Sequence, residues 1–275
     1  MTRGRSSAPF TERWENFDLR IEGRVATVTL TRPEKLNALS LAVYADLRDL
    51  LAELHQTPEV AVLVITGSGR GFCSGGDVDD IIGALQGKGA SDLLDFTRLT
   101  GAVVQGMREL PMPIIAAVNG VAAGAGAVIA LAADLRLLAE SASFHFLFTK
   151  VGLAGADMGA AYLLPRVVGL GRATELLLLG DKVDSGRAAD IGLATAVVPD
   201  ALLMEEAAAL AARLASGPTL AYAATKSLVT RELDMGLSAA IEAEAYAQAL
   251  LMASEDHAEF YRAYREGREP TWEGR

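Results

Sequence analysis

The chain has one cysteine in 275 residues, Cys73, which excludes an intramolecular disulfide framework and fits a reducing cytoplasm. None of His55, His145 or His257 lies near it in sequence, so Cys73 is expected to be a packed thiol rather than a nucleophile, and no metal site is expected. Aromatic residues make up only 6% of a chain that is 51% hydrophobic, so the core has to be assembled from alanine, leucine and valine. Positive charge is also scarce. A net charge of -10 and a pI near 4.9 exclude a general polyanion binder, and no nucleic-acid partner is expected. The opening MTRGRSSAPF carries no apolar h-region, so no secretory signal is expected. The one long stretch without charge, 113–133, is broken by Asn119 and three glycines and flanked by Pro111 and Pro113; a membrane span needs about 20 predominantly apolar residues in one helix.

That stretch is instead the centre of the chain. PIIAAVNGVAAGAGAV, 113–128, opens as a short apolar run, breaks at Asn119-Gly120, and passes through Gly124 and Gly126 into an alanine-rich segment. It reads as a buried strand, a glycine turn and a helix start. Glycines at such a junction let a ligand approach main-chain N–H groups, and the helix aims its unpaired N–H groups at the same spot. A second junction has the same build: VAVLVIT, 60–66, is a central strand by its continuous apolar character and feeds GSGRGFCSGGD, 67–77, ahead of a helix from Asp77 to Leu85. Neither a Gly-Lys-Ser/Thr sequence nor a G-x-G-x-x-G pattern is present, so these are not nucleotide loops.

Elsewhere, 19–30 alternates around Glu22-Gly23 and reads as a hairpin, and Ser40 as the N-cap of a helix to His55. Residues 86–91 are expected to be mobile, 92–110 helical, and 134–139 a short strand. In SFHFLFTKVGLAGADMGAAYLLPR, 143–166, Phe144, Phe146 and Phe148 alternate with polar and smaller residues as an apolar wall. Asp157 precedes a helical run there, and on the residues alone an N-cap accounts for it. After Gly171 the chain is helical apart from a strand near 195–198, ending in helices at 202–215, 221–233, 237–253 and 258–265 that read as a bundle.

Four motifs in order, NALS at 37–40, GRGFCSGGD at 69–77, IIAAVNGVAAGAGA at 114–127, and LLPRVVG followed by GLAT, resemble the crotonase superfamily of enoyl-CoA hydratases and isomerases over roughly 18–265. The resemblance implies an α/β fold, a spiral of ββα units over 17–200, with a C-terminal helical region at 201–275 behind a flexible segment, 1–16. It implies trimers or hexamers, no tightly bound cofactor, and coenzyme A entering as part of the thioester substrate. It also implies an oxyanion hole made by the N–H groups of Gly76 and Ala125, with the CoA moiety held near Lys35, Ala38, Ser74 and Gly75. The acyl group falls among Phe144, Phe146, Phe148 and Tyr162.

The chain departs from the family's hydratases at the two positions where they carry glutamates, three residues after the second hole donor and four before the glycine matching Gly152. Here those are Val128 and Phe148. Asp157 stands where the family's isomerases and aryl-CoA dehalogenases carry a single working aspartate, with one more residue between Gly152 and Asp157 than in the commonest isomerases. Three readings follow: an isomerase or atypical hydratase with Asp157 as general base, nucleophilic or hydrolytic attack by Asp157 on an aryl-CoA, and a non-catalytic CoA-ester binder.

Overall fold

The computed structural model of the chain describes Phe10, Thr11 and residues 13–275. It begins with the expected hairpin. β1 (Phe17–Glu22) pairs antiparallel with β2 (Val25–Leu30) through a turn in which Gly23 takes φ +59°. Ser40 caps α1 (Leu41–His55) by accepting the Val43 N–H, and α1 buries Val43, Tyr44, Leu47, Leu50, Leu51 and Leu54 along one stripe.

Three turns of chain then repeat one pattern: a strand in a large sheet, a three-residue strand in a small sheet, and a helix. The first is β3 (Val62–Gly67), β4 (Gly71–Cys73) and α2 (Ala90–Glu109). The second is β5 (Ile114–Val118), β6 (Val121–Ala123) and α3 (Ala125–Ala132). The third is β7 (Leu135–Ala139), β8 (Ser143–His145), α4 (Ala160–Val168) and α5 (Leu170–Leu179). β9 (Val183–Asp184), α6 (Ser185–Asp190) and β10 (Ala196–Val198) close both sheets. The large sheet has the order β1-β2-β3-β5-β7-β10, parallel after the first hairpin, and the small one β4-β6-β8-β9. This is the ββα spiral. Every residue of β3, β5 and α3 is buried, as continuous apolar runs without a polar face require.

The C-terminal part is α7 (Leu203–Ala215), α8 (Thr219–Glu232), α9 (Leu237–Met252) and α10 (Glu255–Glu266). Only α7 lies on the large sheet, through Leu203, Ala207 and Ala211. The expected helices are present, but their apolar stripes are not core: α9 buries no residue, α8 buries only Lys226, and Leu237, Ile241, Tyr246 and Leu250 are exposed. The helix expected after Asp77 is present, capped by Asp77 and opening as a π-helix, Val78–Gly83; α2 already begins at Ala90, inside the stretch expected to be mobile. Residues 1–9 and 12 of the N-terminal segment lie outside the described residues. In its remainder Thr11 donates from N and Oγ1 to the Glu53 carboxylate, both at 2.8 Å, and Trp14 stacks on Phe17.

Candidate active site

β4 and β6 run parallel, with Gly71 beside Val121 and Cys73 beside Ala122, so the segments leaving their C-terminal ends emerge side by side. Gly75 takes φ +97°, and a Cβ on it would lie 2.9 Å from the Ala123 carbonyl oxygen and 3.4 Å from the Ala125 nitrogen. Only a residue without a side chain lets the two loops close. Gly126 does the same one layer down, where a Cβ would collide with the Cys73 carbonyl oxygen.

Ala125 is the first residue of α3, and the first i to i−4 bond there runs from Val128 N to Gly124 O, so the helix leaves the Ala125 N–H without an acceptor. Gly76 lies opposite Leu39 in an isolated parallel bridge, which uses the Gly75 carbonyl (2.8 Å) and the Asp77 N–H (2.9 Å) and passes over the Gly76 N–H. Among the described residues neither N–H is taken by a protein acceptor. Two free donors therefore stand at adjacent loop ends, one of them at a helix N-terminus. At the far end of α3, Arg136 donates to the Leu131 and Ala133 carbonyls and Arg108 to that of Ala132, which complements the negative end of the helix dipole.

The donors are braced by side chains that sequence reasoning did not single out. Asn37 is 1% exposed; its Oδ1 accepts the Arg32 N–H, and its Nδ2 donates to the Ser68 and Gly71 carbonyls at 2.9 and 2.7 Å. Asn119 reaches the same loop from β5, accepting the Gly67 N–H and donating to Gly69 O. The buried Asp77 carboxylate accepts the Asp79 and Asp80 N–H groups and pairs with Lys35 at 2.8 Å and Arg32 at 2.9 Å. The Lys35 ammonium beside it holds the Asp77 carboxyl well below the usual carboxylate range. The signal for Asn37, Asp77 and Asn119 was in the NALS, GGD and IIAAVNG motifs, which show residue types but not which side chains fold back on the loop.

The expected CoA-contacting residues come together on that brace. Ser74 donates from N to Leu36 O (2.9 Å) and from Oγ to Lys35 O (3.1 Å), and the Arg32 guanidinium donates to Ala38 O (3.0 Å). Lys35, Ala38, Ser74 and Gly75 thus share one edge of the paired loops.

Asp157 lies between the 3-10 turn Leu147–Val151 and α4. It is not the N-cap, since that position is Gly159 at φ +88°; among the described residues the Asp157 carboxylate accepts only the neighbouring Met158 N–H, at 2.9 Å, and its carbonyl accepts the Ala160 N–H. Burial pushes its carboxyl up, with the Met158 N–H opposing. Val128 and Phe148 are packed in the core at 0% and 6% exposure, where neither can move a proton.

The apolar wall is corrected. Phe144 and Phe146 are 0% exposed and stack on each other in the core at 6.2 Å, so in this conformation they face no open site; Phe148 keeps only slight exposure. Tyr162 is elsewhere again, under the Arg166 guanidinium with its hydroxyl donating to Asp234 at 2.7 Å. It lines a cavity of about 1250 Å³ between α2, α4 and α8, which also touches Met158 and Gly159 but none of Gly75, Gly76 or Ala125. That cavity flanks the Asp157 loop without containing the donor pair. Cys73 is fully buried, and burial pushes its thiol up to about 12. It is a packing residue.

The family model described as enoyl-CoA hydratase/isomerase matches residues 20–275. The chain belongs to that family. It is thereby a crotonase-superfamily enzyme whose substrate class is the CoA thioester. A Rhodobacter capsulatus protein assigned as an enoyl-CoA hydratase is 41% identical over 91% of this chain and 95% of its own length. The 1,2-epoxyphenylacetyl-CoA isomerase of Escherichia coli is 36% identical over 93% and 97%. A crystal structure from Streptomyces coelicolor A3(2), assigned as an enoyl-CoA hydratase, superposes with a TM-score of 0.97 at 58% identity over the whole of both chains. Hydratase and isomerase names thus both occur among its relatives, and the reaction turns on the side chains. Among the described residues, no helix is long and apolar enough to cross a membrane.

Proposed function

We propose that the chain is an acyl-CoA isomerase in which the Gly76 and Ala125 N–H groups receive the thioester oxygen and Asp157 carries the proton. The observation that carries this reading is the pair of free, braced N–H donors, one at the start of α3, together with a half-buried Asp157 carboxylate on the loop leading into α4, the helix packed against α3, and with Val128 and Phe148 in the places of the hydratase glutamates. Asp157 takes a proton from C2 of a 3-enoyl thioester. The electron pair moves through the carbonyl carbon onto oxygen, where the two N–H groups stabilise it, each at roughly 10² to 10³ in rate. Asp157 then returns the proton at C4, and the double bond lies between C2 and C3. One carboxylate suffices because it takes and gives the same proton, whereas hydration needs one group to activate water and another to protonate carbon.

The CoA moiety is assigned to the Lys35, Ala38, Ser74 and Gly75 edge, and the Escherichia coli relative supports an acyl group with an aromatic or ring-derived portion. The exposed apolar residues of α8 to α10 support assembly into a trimer or hexamer, since faces of that size on a soluble chain mark contact surfaces. The lone buried Cys73 supports a cytoplasmic setting. Crotonyl-CoA hydration measured beside double-bond migration in a 3-enoyl-CoA tests the reaction. Migration is expected to be at least 10²-fold faster, from the loss of two acid-base groups, and a hydration rate equal to or above migration would overturn the assignment.

A further inference from the structure

The cavity between α2, α4 and α8 shares a peptide with Asp157: the Met158 N–H that bonds the Asp157 carboxylate belongs to one of its lining residues, and Gly159 is the next. Both α2 and α4 pack on α3, the helix that starts at Ala125. Small residues keep the space open, Gly101 and Ala102 on α2 and Ala223 and Ser227 on α8. A Cβ on Gly101 would meet nothing within 4 Å, so no close packing requires a glycine inside this helix, where it weakens the helix. At about 1250 Å³ the cavity exceeds the roughly 300 to 1000 Å³ usual for small-molecule sites, and a four-carbon acyl chain would leave most of it empty.

The charge of the lining runs against that of the chain. In a protein of net charge -10 it carries Arg98, Arg108, Lys226 and Arg231 against Glu109 and Asp234. Both acids are engaged: Glu109 accepts from Gln105 at 2.8 Å, and Asp234 from the Tyr162 hydroxyl at 2.7 Å and from Arg166 at 3.3 Å. Arg108 and Lys226 are engaged as well, paired with Asp134 at 2.9 and 2.8 Å. Arg98 on α2 has only a long, exposed pair with Asp95, at 3.7 Å, and the Arg231 side chain on α8 has no hydrogen bond or ion pair among the described residues. Two uncommitted guanidinium groups therefore stand on different helices around one cavity.

We infer that this cavity receives the acyl group and that the enzyme selects acyl-CoA thioesters bearing a second, distal carboxylate, which Arg98 and Arg231 bind. The inference rests on the thioester site proposed above, which places the reacting carbons at Asp157 and leaves the rest of the acyl group to run past Met158. The guanidinium fork matches a carboxylate in shape and charge, and a concave site of one sign gathers the opposite charge from solution. An acyl chain ending in a methyl group would fill the same space and leave both arginines without an anion.

Calorimetric binding of adipyl-, suberyl- and sebacyl-CoA beside hexanoyl-, octanoyl- and decanoyl-CoA tests it. Wild type is expected to bind the dicarboxylic member of at least one matched pair about 10-fold more tightly, the worth of one hydrogen bond to a charged group. Arg98→Met and Arg231→Met are each expected to shrink that gap, and the double variant to erase it, by weakening the dicarboxylic ligand alone. Arg20→Met, on β1 and outside the lining, removes the same charge and is expected to leave the gap intact. Gly101→Leu puts a side chain into the cavity and is expected to weaken both members of the longest pair about 10-fold, while melting at or above the wild-type temperature, since leucine is the better helix former. No gap in wild type, a gap that survives the double arginine variant, or an equal loss in Arg20→Met would each overturn the inference. So would unchanged binding in Gly101→Leu, which would put the acyl group elsewhere; if that variant also changed the oligomeric state, a second copy of the chain would be the occupant. Binding is read without turnover, so these outcomes are separate from whether the chain isomerises, and failure of wild type to bind any of the six would instead bring down the thioester site, and this inference with it.

Discussion

The two sides of the site are held in opposite ways. The donor side is backbone, and almost every atom around it is committed: Asn37 and Asn119 clamp 67–71 from two directions, Asp77 locks the loop to Arg32 and Lys35, and Gly75 and Gly126 leave no room for a side chain. The Asp157 side is a side chain on a loop with exposed Val151 and Leu153 before it and one hydrogen bond, to the adjacent residue. A fixed hole for a thioester oxygen serves any reaction through an enolate, so it has to be rigid and can be common. On the proposed assignment Asp157 is the residue that chooses among those reactions, and it sits on a loop where one substitution or one inserted residue can change the chemistry without unfolding the hole.

The largest expected effect on that contrast is functional and one-sided. Asp157→Asn is expected to lower isomerase kcat by about 10² to 10⁴ while leaving the fold intact. Because burial raises the Asp157 carboxyl in the folded chain, its ionised form weakens the fold above the unfolded aspartate pKa, and that penalty is relieved as pH falls through the raised value. At pH 7 the asparagine variant should therefore melt at or above the wild-type temperature in a thermal scan, and a clear drop would mean that Asp157 is a structural residue.

On the donor side, Ala125→Pro removes one N–H at the first position of a helix, where proline is otherwise accommodated. A loss of about 10² to 10³ in kcat with circular dichroism unchanged is expected. Activity within a factor of three of wild type would take Ala125 out of the hole.

The brace gives a smaller and different effect. Asn37→Ala leaves the Arg32 N–H and the Ser68 carbonyl without that partner and the Gly71 carbonyl with Asn119 alone, at about 1 to 3 kcal/mol for such a buried group, and urea unfolding should register it. An unchanged unfolding midpoint would show that the donor loop does not depend on its clamp.

The smallest effect is the pH profile. The acid limb of kcat/KM is expected above the ordinary aspartate range, since burial raises Asp157 and only the ionised form accepts the proton. A limb at the ordinary aspartate value would place the working carboxylate in solvent.

How much of this could be read from the chain depends on what each signal measures. The Gly23 turn, the Ser40 cap and the fully apolar β3 and β5 are local features, and they stand in the structure where the residues put them. β4, β6 and β8 are three residues each, too short to show a period, and so the small sheet that aligns the two glycine loops was legible only through family resemblance. Alternation correctly put Phe144 and Phe146 on one face, but it carries no information on whether that face meets a cavity or the core, and here it meets the core. Asp157 read as a cap because aspartate before a helix usually is one; Gly159 at positive φ took that position and left the carboxylate uncommitted.

The central claim is that Gly76, Ala125 and Asp157 form one proton-transfer site on a CoA thioester. Exchange of the C2 protons of phenylacetyl-CoA in D2O, followed by NMR, tests it without requiring the natural substrate. The account predicts catalysed exchange by wild type, reduced at least about 10²-fold in Asp157→Asn and in Ala125→Pro. Exchange that continues at the wild-type rate in Asp157→Asn would contradict it.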